Sequence, residues 1–447
     1  MEQPETTLLP ITLVRRRKKF TTDGGRRSCS PEDILRRYTY LIGRSGIIEE
    51  LQSAHSDPCN LVHVCVAHLR FALEDSRRGL WKGLRAPCVG KGVTGAQARA
   101  SALGEAVERY SGIFRGDEVR VKASYRELSN RAIHPHTCMN FSERQYRERE
   151  ECNKRDAEHN WVPEPFDEER EIEWTPVWSL TEEQFKYVAT ASCYFGYPFA
   201  AQHDFCRPDS NGNAAGANLE EAILQGFLEV VERDSVALWW YNRAQRPRVE
   251  LESFGEAYFE ALGELYRIFG REMYVLDISA DFPIPVFAAV SRGKKEEGDL
   301  LLGFGAHLEP RVAIVRALTE MNQFLPEAIS GEKPRFFIGE PLEDSFLVPD
   351  PLAVSRTSRS YSRLDTEDLL EDLRICVNLA RERNMETLVL DQTRSDVGMR
   401  AVKVFVPGMR PWWARFASGR LFDVPAKIGW QVGRLTEGQL NPCHLVV

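Results

Sequence analysis

Hydrophobic and polar residues follow two different periods along the chain. Residues 60–69 (NLVHVCVAHL) alternate as a half-buried strand does, and residues 272–279 and 284–292 are apolar enough for buried strands. Segments with helical periodicity begin after Thr94 and after Asn218, and others span about 311–324 and 366–383. Because the order is mixed rather than strictly alternating, the pattern predicts an α+β fold with mixed or antiparallel sheets and packed helices.

Three predicted helices carry a polar stripe through apolar surroundings. The stripes consist of residues three or four positions apart, which share one helix face. They comprise Ser101, Glu105 and Glu108 in the first helix, Glu221, Gln225, Glu229 and Glu232 in the second, and Arg316, Glu320 and Gln323 in the third. The first two stripes share a Glu-x-x-Glu-Arg pattern, which ends at Arg109 and Arg233. Solvated helix faces are usually richer in charge than these stripes.

The stripes contain more carboxylates than the neighbouring arginines can neutralise. Burying an unpaired carboxylate costs on the order of several kcal/mol. Five glutamates therefore require a further cation, and their all-oxygen chemistry predicts Mg²⁺. These predicted metal ligands are Glu105, Glu108, Glu221, Glu229 and Glu232. Mg²⁺ beside arginines predicts a nucleoside triphosphate, since phosphoryl transfer depends mainly on electrostatic clamping.

Simpler interpretations stay open for single residues. Asn218 and Glu221 have the spacing of a helix cap, and Glu-Arg neighbours commonly form surface ion pairs. The loop GKGVTG lacks the glycine and the Ser or Thr of a Walker A motif, but its Lys91 could contact phosphate. The repetition of the stripes, rather than any single glutamate, favours the nucleotide site.

Composition places the protein among globular proteins of the cytoplasm. The chain has 447 residues, 43% of them hydrophobic, and a net charge of −8, which argues against binding to nucleic acid. Ten scattered cysteines without a C-x-x-C pair predict reduced thiols, and we find neither a secretory signal nor a membrane span. Residues 1–33 are predicted to be a flexible leader, residues 34–447 the domain that binds the nucleotide, and residues 141–160 an exposed polar insertion within it.

Three long segments resemble the YcaO family: residues 90–112, 211–240 and 303–323. Residues 389–430 further resemble its azoline-forming cyclodehydratase branch. The resemblance implies an ATP site without a P-loop and assigns the glutamates above to metal. It assigns Ser101, Gln225, Arg233, Arg316 and Glu320 to the nucleotide, with the third-motif arginine near the phosphates.

The implied reaction modifies a ribosomally made precursor peptide. A Cys, Ser or Thr side chain attacks the preceding carbonyl, ATP phosphorylates the resulting oxygen, and loss of phosphate leaves a thiazoline or (methyl)oxazoline. No proton-transfer residue follows from the sequence. Other YcaO-type amide activation (thioamide or amidine formation) and a non-catalytic ATP-binding subunit stay open as alternatives.

The resemblance also carries expectations about partners and the C-terminal segment. Fused relatives have an N-terminal peptide-recognition module for which too few residues precede Gly90, so a separate E1-like, leader-binding protein is expected. A flavin dehydrogenase that oxidises the rings and a homodimeric state are left open. Residues 403–447 are expected near the active site, although the tail LNPCHLVV lacks the usual proline-rich ending. Trp412, Trp413 and Phe416 are interpreted as core, and the Cys443-His444 pair as incidental.

Overall fold

Antiparallel strands account for every sheet in the described part of the chain. The computed structural model describes residues 8–15, 19–22, 25–56, 59–70, 87–155, 160–198, 204–293, 299–331, 334, 336–338 and 345–446. Their strands are β1 Phe20–Thr22, β2 Gly25–Arg27, β3 Ile48–Ser56, β4 His63–Leu69, β5 Cys88–Gly92, β6 Val121–Ala123, β7 Ile172–Ser179, β8 Gln184–Ala189, β9 Asn213–Gly216, β10 Arg271–Asp277, β11 Val286–Gly293, β12 Leu300–Ala306, β13 Phe337–Ile338, β14 Leu388–Asp391, β15 Arg400–Phe405 and β16 His444–Leu445.

The sheets are small and their strands come from distant parts of the chain. β3-β4-β5 and β10-β11-β12 are three-stranded meanders, and β1-β2 and β13-β16 are two-stranded ribbons. The largest sheet has the order β6-β7-β14-β15-β9, with β8 also paired to β7. All of these named strand pairs are antiparallel, which confirms the α+β prediction with antiparallel sheets.

Helices lie between and against these sheets. They are α1 Pro31–Arg37, α2 Gly95–Ser111, α3 Tyr125–Leu128, α4 Pro135–Met139, α5 Glu143–Arg147, α6 Arg149–Arg155, α7 Thr190–Cys193, α8 Leu219–Asn242, α9 Ala257–Ile268, α10 Pro310–Asn322, α11 Leu325–Ser330, α12 Leu369–Arg381 and α13 Arg420–Lys427. The side chain of Thr94 accepts a hydrogen bond from the backbone at the start of α2, and that of Asn218 does so for α8. None of the described helices is both long and apolar enough to traverse a bilayer.

The three helices that carry polar stripes each pack on a strand. α2 lies on β4 and β5, α8 on β9 and β15, and α10 on β11 and β12. Glycines permit the close approach: a Cβ atom at Gly90 would lie 2.1 Å from the backbone of α2, and one at Gly303 would lie 2.2 Å from that of α10. Gly90 and Gly303 therefore serve helix packing: α2 packs on β4 and β5 in a hydrophobic cluster of its own, while α8 and α10 share the main core.

Two predicted surface segments pack more closely than expected. Within the predicted leader, residues 20–22 and 25–27 form strands and residues 31–33 begin α1; the flexibility of the leader stays a prediction. Gln145 lies buried in the predicted insertion and donates a hydrogen bond to the carbonyl of Ala414 at 2.7 Å. The insertion is therefore anchored rather than wholly exposed, while residues 156–159 lie outside the described residues. The domain division at residue 33 stays a prediction.

Candidate nucleotide and metal site

The polar stripe of α8 is the partly exposed face of an otherwise buried helix. Between residues 220 and 242, Gln225, Glu229, Glu232 and Arg233 are the positions that are not buried. The neighbouring side chains, such as Phe227 and Leu228, are fully enclosed in the main core. Such a stripe faces a cleft rather than open solvent, because its flanks on both sides are packed.

Helix α2 forms one wall of the cleft. Glu105 accepts a hydrogen bond from Arg109 at 2.5 Å, and Ser101 lies one turn earlier on the same face. Burial raises the pKa of Glu105. The pKa of Glu108 lies well above its usual range because the carboxyl is buried and faces Glu229 and then Glu105. Glu105, Glu108 and Glu229 of the first two stripes therefore lie close together, and their role as metal ligands stays a prediction.

Helix α10 and the end of β12 form the opposite wall. Arg316 donates to the side-chain oxygen of Gln225 at 2.5 Å and to the carbonyl of Ala306 at 3.2 Å. Glu232 accepts a hydrogen bond from the backbone N–H of Ala306 at 2.9 Å. Burial and the adjacent Glu320 raise the pKa of Glu232 to about 8, while burial and a second arginine lower the pKa of Arg316 to about 9. A bound cation would therefore stabilise the ionised Glu232 carboxylate, and a bound anion would stabilise the charged Arg316 guanidinium.

Lys91 lies inside this arrangement. It forms an ion pair with Glu320 at 2.5 Å, which joins β5 to α10 across the cleft. Its position among the carboxylates agrees with the predicted place near phosphate. The predicted role of Lys91 itself stays a prediction.

Glu221 is held by residues that the sequence interpretation missed. Its carboxylate accepts hydrogen bonds from the backbone N–H and the hydroxyl of Ser28, and Arg27 lies 3.4 Å away. Asn218 caps the helix at the backbone N–H of Glu221, so the helix-cap interpretation is correct for the backbone of this residue. Glu221 therefore anchors residues 27–28, and its predicted role as a metal ligand stays a prediction.

Arg233 connects the cleft to the C-terminal segment. It forms an ion pair with Glu229, and its guanidinium stacks 4.0 Å from the ring of Trp412. Its Nε atom is buried without a hydrogen-bond partner in the described residues. Trp412 is buried, as predicted for core, yet it also borders the site.

The C-terminal tail lies at the other end of α8. Trp240 donates a hydrogen bond to the carbonyl of Cys443 at 2.8 Å, and His444–Leu445 pairs with β13. Burial raises the pKa of the Cys443 thiol, which argues against a nucleophilic role. The described part of the tail therefore does not reach the acidic cleft.

The donor set fits Mg²⁺ held together with phosphate oxygens rather than a closed protein cage. Among the residues that the structure describes, no trio of His, Cys, Asp or Glu is arranged to hold a metal ion. Mg²⁺ characteristically takes only one or two carboxylates and completes its shell with water and phosphate. The Glu108 carboxylate forms no ion pair or hydrogen bond with any residue that the structure describes, and it faces two other glutamates. Glu221 and Glu232 lie about 17 Å apart along α8, a strip long enough for a nucleoside triphosphate.

An acidic strip with arginines on both sides, set on an α+β scaffold without a P-loop, defines a class of nucleotide-binding proteins. The chain belongs to the YcaO family, whose model, described as cyclodehydratases that bind ATP and Mg²⁺, matches residues 89–410. ATP and Mg²⁺ are accordingly the cofactors of its family, and the sequence prediction of both is confirmed at that level.

Solved structures agree with this assignment. A heterocyclase in complex with substrate and cofactor is 48% identical over 98% of this chain, with a TM-score of 0.91. The heterocyclase TruD is 44% identical over 97% of this chain, with a TM-score of 0.78. This chain spans 59% and 55% of the length of those two chains. YcaO from Methanopyrus kandleri, bound with AMPPCP and Mg²⁺, is 23% identical over 90% of this chain and 98% of its own, with a TM-score of 0.66, and shows the shared fold.

Proposed function

We propose that this protein is an ATP-dependent cyclodehydratase that converts Cys, Ser or Thr residues of a ribosomally made precursor peptide into azolines. The observation that carries the proposal is the 48% identity, over 98% of the chain, to a heterocyclase in complex with substrate and cofactor. The acidic cleft agrees with it, since its unrelieved carboxylates and arginines need a ligand that brings both cations and phosphates.

The chain's own residues supply binding and positioning. Glu108, Glu229 and Glu232 would hold Mg²⁺, because burial and neighbouring glutamates raise the pKa of each carboxyl and a cation would relieve this. Arg316 and Arg233 would hold the phosphates. Gln225 fixes Arg316 by accepting its hydrogen bond at 2.5 Å, and Trp412 fixes Arg233 by stacking.

The chemistry requires no nucleophile from this chain. The peptide's thiol or hydroxyl attacks the preceding carbonyl carbon and gives up its proton. The former carbonyl oxygen then leaves and the amide nitrogen gives up its proton, which forms the C=N bond and removes the elements of one water. Bound ATP and Mg²⁺ would supply the phosphoryl group that turns this oxygen into a good leaving group. The structure describes the buried Cys443 thiol far from the cleft, which agrees with a substrate-derived nucleophile.

The test is a mass measurement on a precursor peptide. The protein is incubated with ATP, Mg²⁺ and a Cys-rich precursor, with and without the expected leader-binding partner. That partner stays a prediction, and so does a cytoplasmic location. We expect each modified residue to lose the mass of one water and to release one phosphate. ATP hydrolysis with an unchanged peptide mass would contradict the proposal, and a mass change that corresponds to sulfur replacing oxygen would indicate thioamide formation instead.

A further inference from the structure

A second cavity lies beyond the C-terminal end of α8. It has a volume of about 810 Å³ and is bounded by three segments: residues 242–247, the loop 345–356 and residues 429–439. None of the cleft residues described above lines it. The helix rise of about 1.5 Å per residue puts its nearest wall, at Asn242, about 14 Å beyond Arg233. The cavity is thus a separate site that the proposed reaction does not use.

Hydrogen bonds between the three segments hold the cavity open. Asp350 donates its backbone N–H to the carbonyl of Arg246 at 2.9 Å, which ties the loop to the first wall. Gln431 donates to the carbonyl of Asn242 at 2.6 Å, and Arg243 donates to that of Gln439 at 2.8 Å. A cavity braced in this way is preformed, so binding a ligand costs little ordering of its walls.

The lining carries an excess of positive charge in a protein of net charge −8. Arg243, Arg246 and Arg356 line the cavity, and Asp350 is the acidic residue among the described lining residues. Arg246 stacks 4.2 Å from the ring of Trp430, and its Nε donates to the carbonyl of Asp277 at 2.9 Å. Within the described residues its two terminal nitrogens have no hydrogen-bond partner, so they are available to an anionic ligand.

Arg356 stands opposite, with half of its side chain exposed. Its nearest acidic partner is Asp277 at 3.8 Å, too far for a hydrogen bond. Burial lowers the pKa of Arg246, the Asp277 carboxylate opposes that shift, and repulsion from Arg356 adds to it. The pKa stays lowered, so Asp277 does not offset burial and repulsion in full, and a further carboxylate between the two guanidinium groups would stabilise both charges.

The rim of the cavity is apolar. Val354 lines the cavity and is 86% exposed, and Leu352 and Val432, next to lining residues, are almost fully exposed. Exposed aliphatic residues around a charged centre are typical of a surface that contacts a macromolecule. Gln245 adds an amide group suited to a peptide backbone, while the amides of Gln431 and Gln439 already form hydrogen bonds within the protein. A small free anion would contact neither the aliphatic rim nor the side-chain amide, whereas a peptide can contact both.

We propose that this cavity, formed by residues 242–247, 345–356 and 429–439, binds an acidic peptide segment. A Glu or Asp side chain of the peptide lies between Arg246 and Arg356, and flanking aliphatic side chains pack on Val354 and Val432. The segment belongs to a partner protein, because the cavity shares no lining residue with the cleft that the proposed reaction uses. The proposal does not depend on cyclodehydratase activity.

Fluorescence anisotropy of a short labelled peptide of alternating Glu and Leu, titrated with the full chain, tests the proposal. We expect saturable binding that Arg356→Gln weakens about tenfold or more and Val354→Ser weakens about fivefold. Arg356 is half exposed, so its replacement leaves the fold intact. Arg359→Gln, an exposed arginine of the same loop that does not line the cavity, serves as the matched control and leaves the affinity unchanged.

Several results overturn the proposal. These are no binding, equal binding of the peptide with Gln in place of Glu, and an unchanged affinity in Arg356→Gln. Displacement of the peptide by inorganic phosphate at equal concentration would show a simple anion site instead. A change of oligomeric state in Arg356→Gln, measured by light scattering, would show that the surface joins copies of this chain.

Discussion

Glu232→Gln is expected to stabilise the ligand-free protein while removing its response to Mg²⁺ and ATP. The carboxylate of Glu232 accepts one hydrogen bond, from the N–H of Ala306 at 2.9 Å, and a glutamine oxygen can accept the same bond. What the substitution removes is a negative charge that is buried beside Glu320. That charge is unfavourable until a cation arrives, so stability and ligand binding oppose each other at this residue.

The size of the effect follows from the pKa. The ordinary value for Glu232 is 4.5, and burial and then Glu320 raise it to about 8 in the folded protein. Between these values the folded protein keeps a proton that the unfolded chain releases, so the free energy of unfolding falls as pH rises through this window. At pH 7 about 2.5 pH units at about 1.36 kcal/mol each amount to about 3 kcal/mol. Solvent in the cleft reduces the penalty to about 1–2 kcal/mol.

Thermal unfolding measures this directly. With an unfolding entropy of about 2.1 cal/mol/K per residue, a gain of about 1–2 kcal/mol raises Tm of this chain by about 1–2 °C. We expect that rise at about pH 8 and almost none at about pH 4, where Glu232 is protonated in the folded state and largely so in the unfolded chain. Glu260→Gln, an exposed glutamate on α9, should leave Tm unchanged at both pH values.

Mg²⁺ with a non-hydrolysable ATP analogue supplies the second half of the test. The wild-type protein should gain Tm with this ligand, and Glu232→Gln should gain clearly less. A lower Tm of the ligand-free variant at about pH 8, or a ligand-induced gain equal to that of the wild type, would refute the reasoning.

Three further substitutions separate the roles of the cleft, its anchor and its scaffold. Arg316→Ala should reduce kcat by about 100-fold or more without a change in circular dichroism, because a charge that holds phosphate is lost; normal turnover would show that Arg316 is structural. Ser28→Ala should raise the KM for ATP several-fold more than it lowers kcat, since it releases Glu221; an unchanged KM would remove residues 27–28 from the site. Gly90→Ala should lower the free energy of unfolding by about 3 kcal/mol, because its Cβ would lie 2.1 Å from α2. Gly104→Ala, which meets open space on α2, should not be destabilised in the same denaturant titration.

The polar stripes could be predicted from the sequence because helical periodicity is a local property. A spacing of three or four residues places Glu105 beside Glu108, and Glu229 beside Glu232, whatever the rest of the fold does. The apolar background showed that these faces are not solvated. What periodicity could not supply is the partner of each group, such as the pairing of Lys91 with Glu320 or of Arg316 with Gln225.

Contacts over long sequence separations account for the remaining differences. Ser28 reaches Glu221 across 193 positions, and a polar, basic N-terminal stretch carries no local sign of such a contact. The ion pairs of Arg26 with Glu367 and of Arg27 with Glu221 also join residues far apart in the sequence, so no local pattern could have indicated them. Similarly, the burial of Gln145 depends on Ala414 and Phe416, which the polar composition of residues 141–160 does not reveal.

The central claim is that ATP acts on the backbone amide oxygen of a peptide bound to this protein, and the fate of that oxygen tests it most directly. A precursor peptide is prepared with the heavy oxygen isotope in the carbonyl group that precedes a reactive cysteine. It is then incubated with the protein, ATP and Mg²⁺, together with the partner if one is required. Mass spectrometry of the released inorganic phosphate should find one heavy oxygen for each ring formed. Rings formed with the label in water, or ATP turned over with the label still in the peptide, would contradict the account.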